Sequence, residues 1–77
     1  MDWREIVGRN VRRLRLERTL TQEQLAFEAG IDLTYLGGIE RGRRNPSLLV
    51  MVRLATALSV EPVALLAAET VAERAIA

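Results

Sequence analysis

Only one residue, Ile31, separates Gly30 from Asp32. Gly30 suits the left-handed position that ends a helix, and Asp32 suits the N-cap that begins the next one. Two helical stretches are therefore joined through Ala29-Gly30-Ile31-Asp32, a connection too tight for anything but a sharp turn. The later helix is expected to pack steeply across the earlier one and to stand proud of the domain. The turn by itself also suits an ordinary helical hairpin.

Helical spacing runs through the rest of the chain, and strand alternation is nowhere sustained. Trp3, Val7, Val11 and Leu14 recur every three or four residues, with Arg4, Arg9, Arg12 and Arg13 on other faces, so a first helix is expected over about 3–17. It stops near Thr19-Leu20. Thr21 then offers an N-cap hydroxyl with Gln24 at capping-box spacing, opening a second helix to Ala29 that buries Leu25, Ala26 and Ala29. A third helix, about Leu33 to Arg41, buries Leu36 and Ile39, half-buries Tyr35 and is closed by Gly42. Arg43-Arg44-Asn45-Pro46 is an extended connection, because the residue before a proline is pushed out of the helical region. Ser47 caps a fourth helix to about Leu58, burying Leu48, Met51, Leu54, Ala55 and Leu58. Pro62 fits the first position of a fifth helix that takes in Val63 to Ala68, with continuation towards Arg74 left open. The expectation is one all-α domain, residues 1–77, of five helices.

A 77-residue chain buries only about 60–65% of its unfolded surface, so its core is marginal and dimerisation would help it. Trp3, Phe27 and Tyr35 are its only aromatic residues, so that core must be aliphatic. The sequence has neither Cys nor His, which removes disulfides, thiol nucleophiles, imidazole bases and the common zinc sites. Its ten acids are scattered. No metal, no cofactor and no enzymatic activity are expected. There is no signal-peptide pattern and no apolar run near the roughly 20 residues of a spanning helix, so a cytoplasmic, nucleoid-associated protein without membrane contact is expected.

Net charge is +1, and its distribution is more informative. Residues 1–20 carry six arginines against Asp2, Glu5 and Glu17, a balance of +3. Residues 21–40 carry four acids and no base, −4, and residues 41–60 carry Arg41, Arg43, Arg44 and Arg53 with no acid, +4. Residues 61–77 carry three glutamates against Arg74, −2. Every basic residue is Arg, which suits bidentate contacts to phosphate or guanine and equally suits a biased base composition. The clustering is what counts.

The run from Thr21 to Ile31, TQEQLAFEAGI, resembles the Cro/CI-type (XRE) helix-turn-helix family, the lambda-repressor-like fold. So do Tyr35-Leu36, Ile39-Glu40-Arg41-Gly42, Arg44-Asn45-Pro46-Ser47-Leu48 and the stretch Leu54–Val60. Within that family the Asp-x-Thr-Tyr-x-x-Gly-Ile-Glu-Arg pattern looks most like the controller proteins of restriction–modification systems. The resemblance implies a five-helix domain with its helix-turn-helix at helices 2 and 3, about residues 21–41, and binding to double-stranded DNA as a transcriptional regulator. It implies that Gln22 grips a phosphate at the start of the second helix, helped by the free N–H groups there. It also implies a structural salt bridge between Arg15 and Glu40.

Asp32, Leu33, Thr34, Gly37 and Gly38 stand at the positions that face base edges in the family, and none is Arg, Gln or Asn, the strongest bidentate readers. Thr34 is expected to be the main reader, with Leu33 against a thymine methyl. Gly37 and Gly38 cost about 1 kcal/mol each against Ala; they either let the helix approach DNA closely or mark a tolerant surface. Arg43 and Asn45 are expected on phosphates, Arg44 on a base or a phosphate, and Tyr35 on a phosphate or packed.

Leu49 and Val50, in an apolar run from Leu48 to Val52, cannot all face one core, and Val63, Leu66, Ala67, Val71 and Ile76 add further apolar surface. Helices 4 and 5 with the tail, residues 47–77, are therefore the expected homodimer interface, which would set two recognition helices roughly 34 Å apart on a palindromic operator. The tail from Val71 either joins this surface or is disordered. A second function class is an antitoxin-like interaction module whose apolar C-terminal region binds a partner protein, a toxin or the transcription machinery.

Overall fold

The computed structural model describes residues 1–68. Four α-helices follow one another, α1 (Trp3–Glu17), α2 (Gln22–Ala29), α3 (Leu33–Glu40) and α4 (Leu48–Ala57), and a short 3-10 helix, Pro62–Leu66, comes last. There is no strand among the described residues.

The helix starts follow from their caps. Asp2, Thr21, Asp32 and Ser47 each accept a backbone N–H from the first turn of the helix they open. At Thr21 the capping box is complete, since the Gln24 side chain also accepts the Thr21 N–H. Asp2 takes two further bonds from the Arg4 guanidinium, and these, with the Arg4 backbone N–H, hold its carboxyl below the usual carboxylate range.

All four helices close in one way. Leu20, Ile31, Arg43 and Val60 donate their N–H groups back to the carbonyls of Arg15, Ala26, Gly38 and Ala55. This six-to-one bond is the Schellman closure, and the residue before each donor must turn left-handed. Glycine fills that place twice, at Gly30 (φ +69°) and Gly42 (φ +74°). Thr19 and Ser59 hold it at φ +56°, where a side chain is disfavoured.

The core is aliphatic. Val7, Val11, Leu14, Leu25, Ala26, Ala29, Leu36, Ile39, Leu54, Ala55, Leu58 and Leu65 form one buried cluster, and Tyr35 packs at its edge. α1 lies on α3 and on the 3-10 helix, while α2 lies on α3 and α4. The α1–α3 approach depends on Gly8, because a Cβ there would overlap the Ile39 carbonyl. Buried Asn10 donates both side-chain N–H groups, to the carbonyls of Leu65 and Ala67 at 2.9 Å each. It thereby fixes the end of the 3-10 helix to α1.

Four expectations are corrected. The fifth element is a single stretch of 3-10 helix ending at Leu66, so Ala67 and Ala68 are outside it; continuation to Arg74, and Val71 and Ile76, lie outside the described residues. Leu48, expected in the core, is 72% exposed. It shares the helical register of buried Ala55 seven residues on, but at the start of α4 nothing among the described residues covers it. Val50, expected at the outer surface, is half-buried against the core. Trp3 begins the apolar stripe of α1 yet stays half-exposed, whereas Ile6 is buried.

Candidate nucleic-acid interface

Three residues, Gly30 to Asp32, connect α2 to α3. The inward stripe of α3 is Tyr35, Leu36 and Ile39, and helical periodicity puts Thr34, Gly37, Gly38 and Arg41 on the opposite face. Leu33 flanks that face and is 42% exposed; Thr34 is exposed. Asp32 is exposed too, with its carboxylate committed to the Tyr35 N–H at 3.1 Å. The first turn of α3 therefore offers a hydroxyl and an isobutyl group to whatever approaches it.

Beyond the C-terminal end of α3 the charge changes. Arg41, Arg43, Arg44 and Asn45 are all exposed before buried Pro46, and none of the three arginines forms an ion pair among the described residues. The Arg44 guanidinium carbon sits 5.7 Å from the centre of the Tyr35 ring, a cation–π distance. Tyr35 thus packs its ring between the core and Arg44, and its hydroxyl makes no hydrogen bond among the described residues.

A buried network ties this surface to the rest of the domain. Arg15 donates Nε to Glu40 Oε2 at 2.7 Å and Nη2 to Glu40 Oε1 at 3.0 Å, a bidentate pair. Arg15 Nη1 also donates to the Leu20 carbonyl at 2.8 Å, closing the turn into α2. The two side chains are 9% and 2% exposed. Gln22 Nε2 donates to Glu40 Oε1 at 2.9 Å. One carboxylate at the end of α3 thereby holds the side chains of α1 and of the first residue of α2.

This changes the picture of Gln22. The resemblance implies a phosphate contact for it, whereas one of its amide N–H groups is spent on Glu40. Its position beside the open first turn of α2 is set by that bond. Two contributors were missed. Arg41, four residues after Gly37, lies with its Nη1 3.2 Å from where a Gly37 Cβ would stand, and its signal was a basic residue on the outward face. Asn10 was visible only as a polar residue inside the apolar stripe of α1.

The helix-turn-helix family description matches residues 11–65, which spans α2, α3 and most of the core. The chain belongs to this helix-turn-helix family. It is 48% identical over 65 residues to an uncharacterized helix-turn-helix-type transcriptional regulator of Sinorhizobium fredii, y4dJ, covering 84% of each chain. The solved structure of the restriction–modification controller protein C.AhdI from Aeromonas hydrophila superimposes with a TM-score of 0.79 at 48% identity, over 80% of this chain and 94% of that one. The controller protein C.Esp1396I, solved as a tetramer in complex with its natural 35 base-pair operator, superimposes with a TM-score of 0.77 at 32% identity, over 84% of this chain and 86% of that one. The family expected from the sequence, including the likeness to restriction–modification controllers, is borne out. The antitoxin-like alternative finds no support among these relatives.

Proposed function

We propose that this chain is a transcriptional regulator that binds double-stranded DNA sequence-specifically, with α2 and α3 as its helix-turn-helix and α3 as the helix that enters the major groove. The observation that carries this is the outward face of α3, where Leu33, Thr34 and Arg41 are exposed, bordered by Arg41, Arg43 and Arg44, which form no ion pair among the described residues. Unpaired arginines at the edge of a free helix supply phosphate attraction, and the face between them supplies base contact. The likeness to a controller protein solved in complex with its natural 35 base-pair operator supports DNA binding.

In this reading Thr34 and Leu33 meet base edges, with Asp32 beside them as the cap. Gln22, steadied by Glu40, keeps its second amide N–H for a phosphate at the N-terminus of α2. Arg43, Asn45 and the Tyr35 hydroxyl take further phosphates, and Arg44 reaches a base. The protein is a regulator and not an enzyme, working in the cytoplasm on the nucleoid.

The working unit is a homodimer. Leu49 (71% exposed) on α4 and Val63 (70% exposed), Leu66 and Ala67 at the 3-10 helix leave apolar surface uncovered on adjoining elements. Leu48 joins them, in place of the inward-turned Val50. A two-fold contact there covers this surface and pairs two copies of α3 on a palindrome. The test is selection of bound duplexes from a random pool. A single enriched palindrome with half-sites about one helical turn apart is expected, and a pool that does not converge would sink the proposal.

A further inference from the structure

The outward face of α3 presents a puzzle of chemistry. Its central positions are Gly37 and Gly38, which offer no side chain, and both are buried although they point away from the core. An ideal Cβ built on Gly38 would lie 2.8 Å from Arg44 Cγ and 3.3 Å from its Nε. One built on Gly37 would lie 3.2 Å from Arg41 Nη1. The glycine pair is therefore covered by the side chains of Arg41 and Arg44, which lie back across the helix.

Arg41 arrives by helical register, one turn after Gly37, and the backbone explains how Arg44 arrives. The Schellman closure at Gly42 brings the Arg43 N–H to the Gly38 carbonyl at 2.9 Å, so the chain folds back over the last turn of α3. Arg44 then follows directly above Gly38, with its guanidinium beside the Tyr35 ring. The Arg44 side chain is thus bounded by bare backbone on one side and an aromatic ring on another. Any residue larger than glycine at 38 would displace the Arg44 side chain from its place over the helix, because a side chain yields before a helix backbone does.

We propose that Gly37 and Gly38 are arginine seats, which lay Arg41 and Arg44 along the outward face of α3 so that Arg44, with Arg41 beside it, reads guanine there. This deepens the reading of α3 as the DNA-reading helix and rests on it. A seated guanidinium loses less freedom on binding than a free one, and its planar fork matches the O6 and N7 acceptors of guanine. The base-reading groups that α3 lacks are supplied by the residues that follow it. Gly38 is a positioning residue and Arg44 the reader.

Gly38→Ala makes the test sharp, since its two expected effects have opposite sign. Alanine is the better helix former, so Tm should stay level or rise. Preference for one guanine per half-site should nevertheless fall by about 5- to 100-fold, measured on selected duplexes with each guanine replaced in turn. Arg44→Ala should give the same loss at the same guanine, and Gly38→Ala with Arg44→Ala together should be no worse than Arg44→Ala alone. In DNA-free protein the Arg44 side-chain proton resonances should be ring-shifted by Tyr35 and should lose that shift in Gly38→Ala. Seats are refuted if Gly38→Ala keeps both the ring shift and the wild-type preference profile. A guanine-reading Arg44 is refuted if Arg44→Ala weakens selected and scrambled duplexes by one common factor, the mark of a phosphate contact. Wild-type protein that does not distinguish selected from scrambled duplex overturns the regulator reading itself, a result separate from failure of the seats alone.

Discussion

Replacing Glu40 by alanine should cost a large share of the fold's stability, although Glu40 ends the helix proposed to face DNA. Its carboxylate accepts three side-chain N–H bonds, two from Arg15 and one from Gln22, and is almost wholly buried. Truncation leaves the Arg15 guanidinium, itself 9% exposed, with only the Leu20 carbonyl. Stranding one partner of a buried pair costs about 3–5 kcal/mol. A domain of this length is stable by roughly 4–12 kcal/mol, from about 0.05–0.15 kcal/mol per residue, so the variant should be partly unfolded near 37 °C. Urea unfolding followed by circular dichroism measures the difference. The apolar pair Arg15→Met with Glu40→Leu removes both charges at once and should recover most of the loss. A Glu40→Ala protein within about 1 kcal/mol of wild type would refute the idea that burial gives this pair its weight.

Gly8→Ala should destabilise by about 1–3 kcal/mol despite the better helix propensity of alanine, because the new methyl meets the Ile39 carbonyl and α1 must move off α3; thermal unfolding reads this, and an unchanged Tm would contradict it. Leu49→Glu or Val63→Glu should leave the monomer folded and abolish the proposed dimer in sedimentation at tens of micromolar, since both side chains stand in solvent on one copy; a dimer indifferent to both changes would place the interface elsewhere. Thr34→Ala should relax discrimination at one position per half-site by about 1–3 kcal/mol while leaving affinity for scrambled duplex nearly intact. An unchanged preference profile would remove Thr34 from base reading.

What was legible in the sequence is what short-range chemistry decides. Thr21 with Gln24, Gly30, Asp32, Gly42 and Ser47 act within five residues of themselves, so the boundaries of α2, α3 and α4 could be read directly. The stops near Thr19 and Leu58 could be read too, but not the left-handed conformation of Thr19 and Ser59, which their residue types do not announce. Leu48 was misplaced because periodicity says which way a residue points and not whether anything covers it. Asn10 binds carbonyls 55 and 57 residues away, beyond the reach of local pattern. Arg44 over Gly38 also escapes helical periodicity, because it lies past the turn at Gly42. Residue types on α3 suggested a helix with few readers; periodicity already sets Arg41 on that face, and only the return of the chain after Gly42 brings Arg44 to it.

The most direct test of the account is a titration of the intact protein against its selected duplex and a scrambled duplex of equal length and composition, at physiological salt. Binding to the selected duplex should be at least about a thousandfold tighter, and its affinity should fall with salt with a log–log slope of about −5 to −9, as three to five phosphates neutralised per subunit require. Equal affinity for the two duplexes, or a flat salt dependence, would contradict sequence-specific DNA binding by α3 and its arginines.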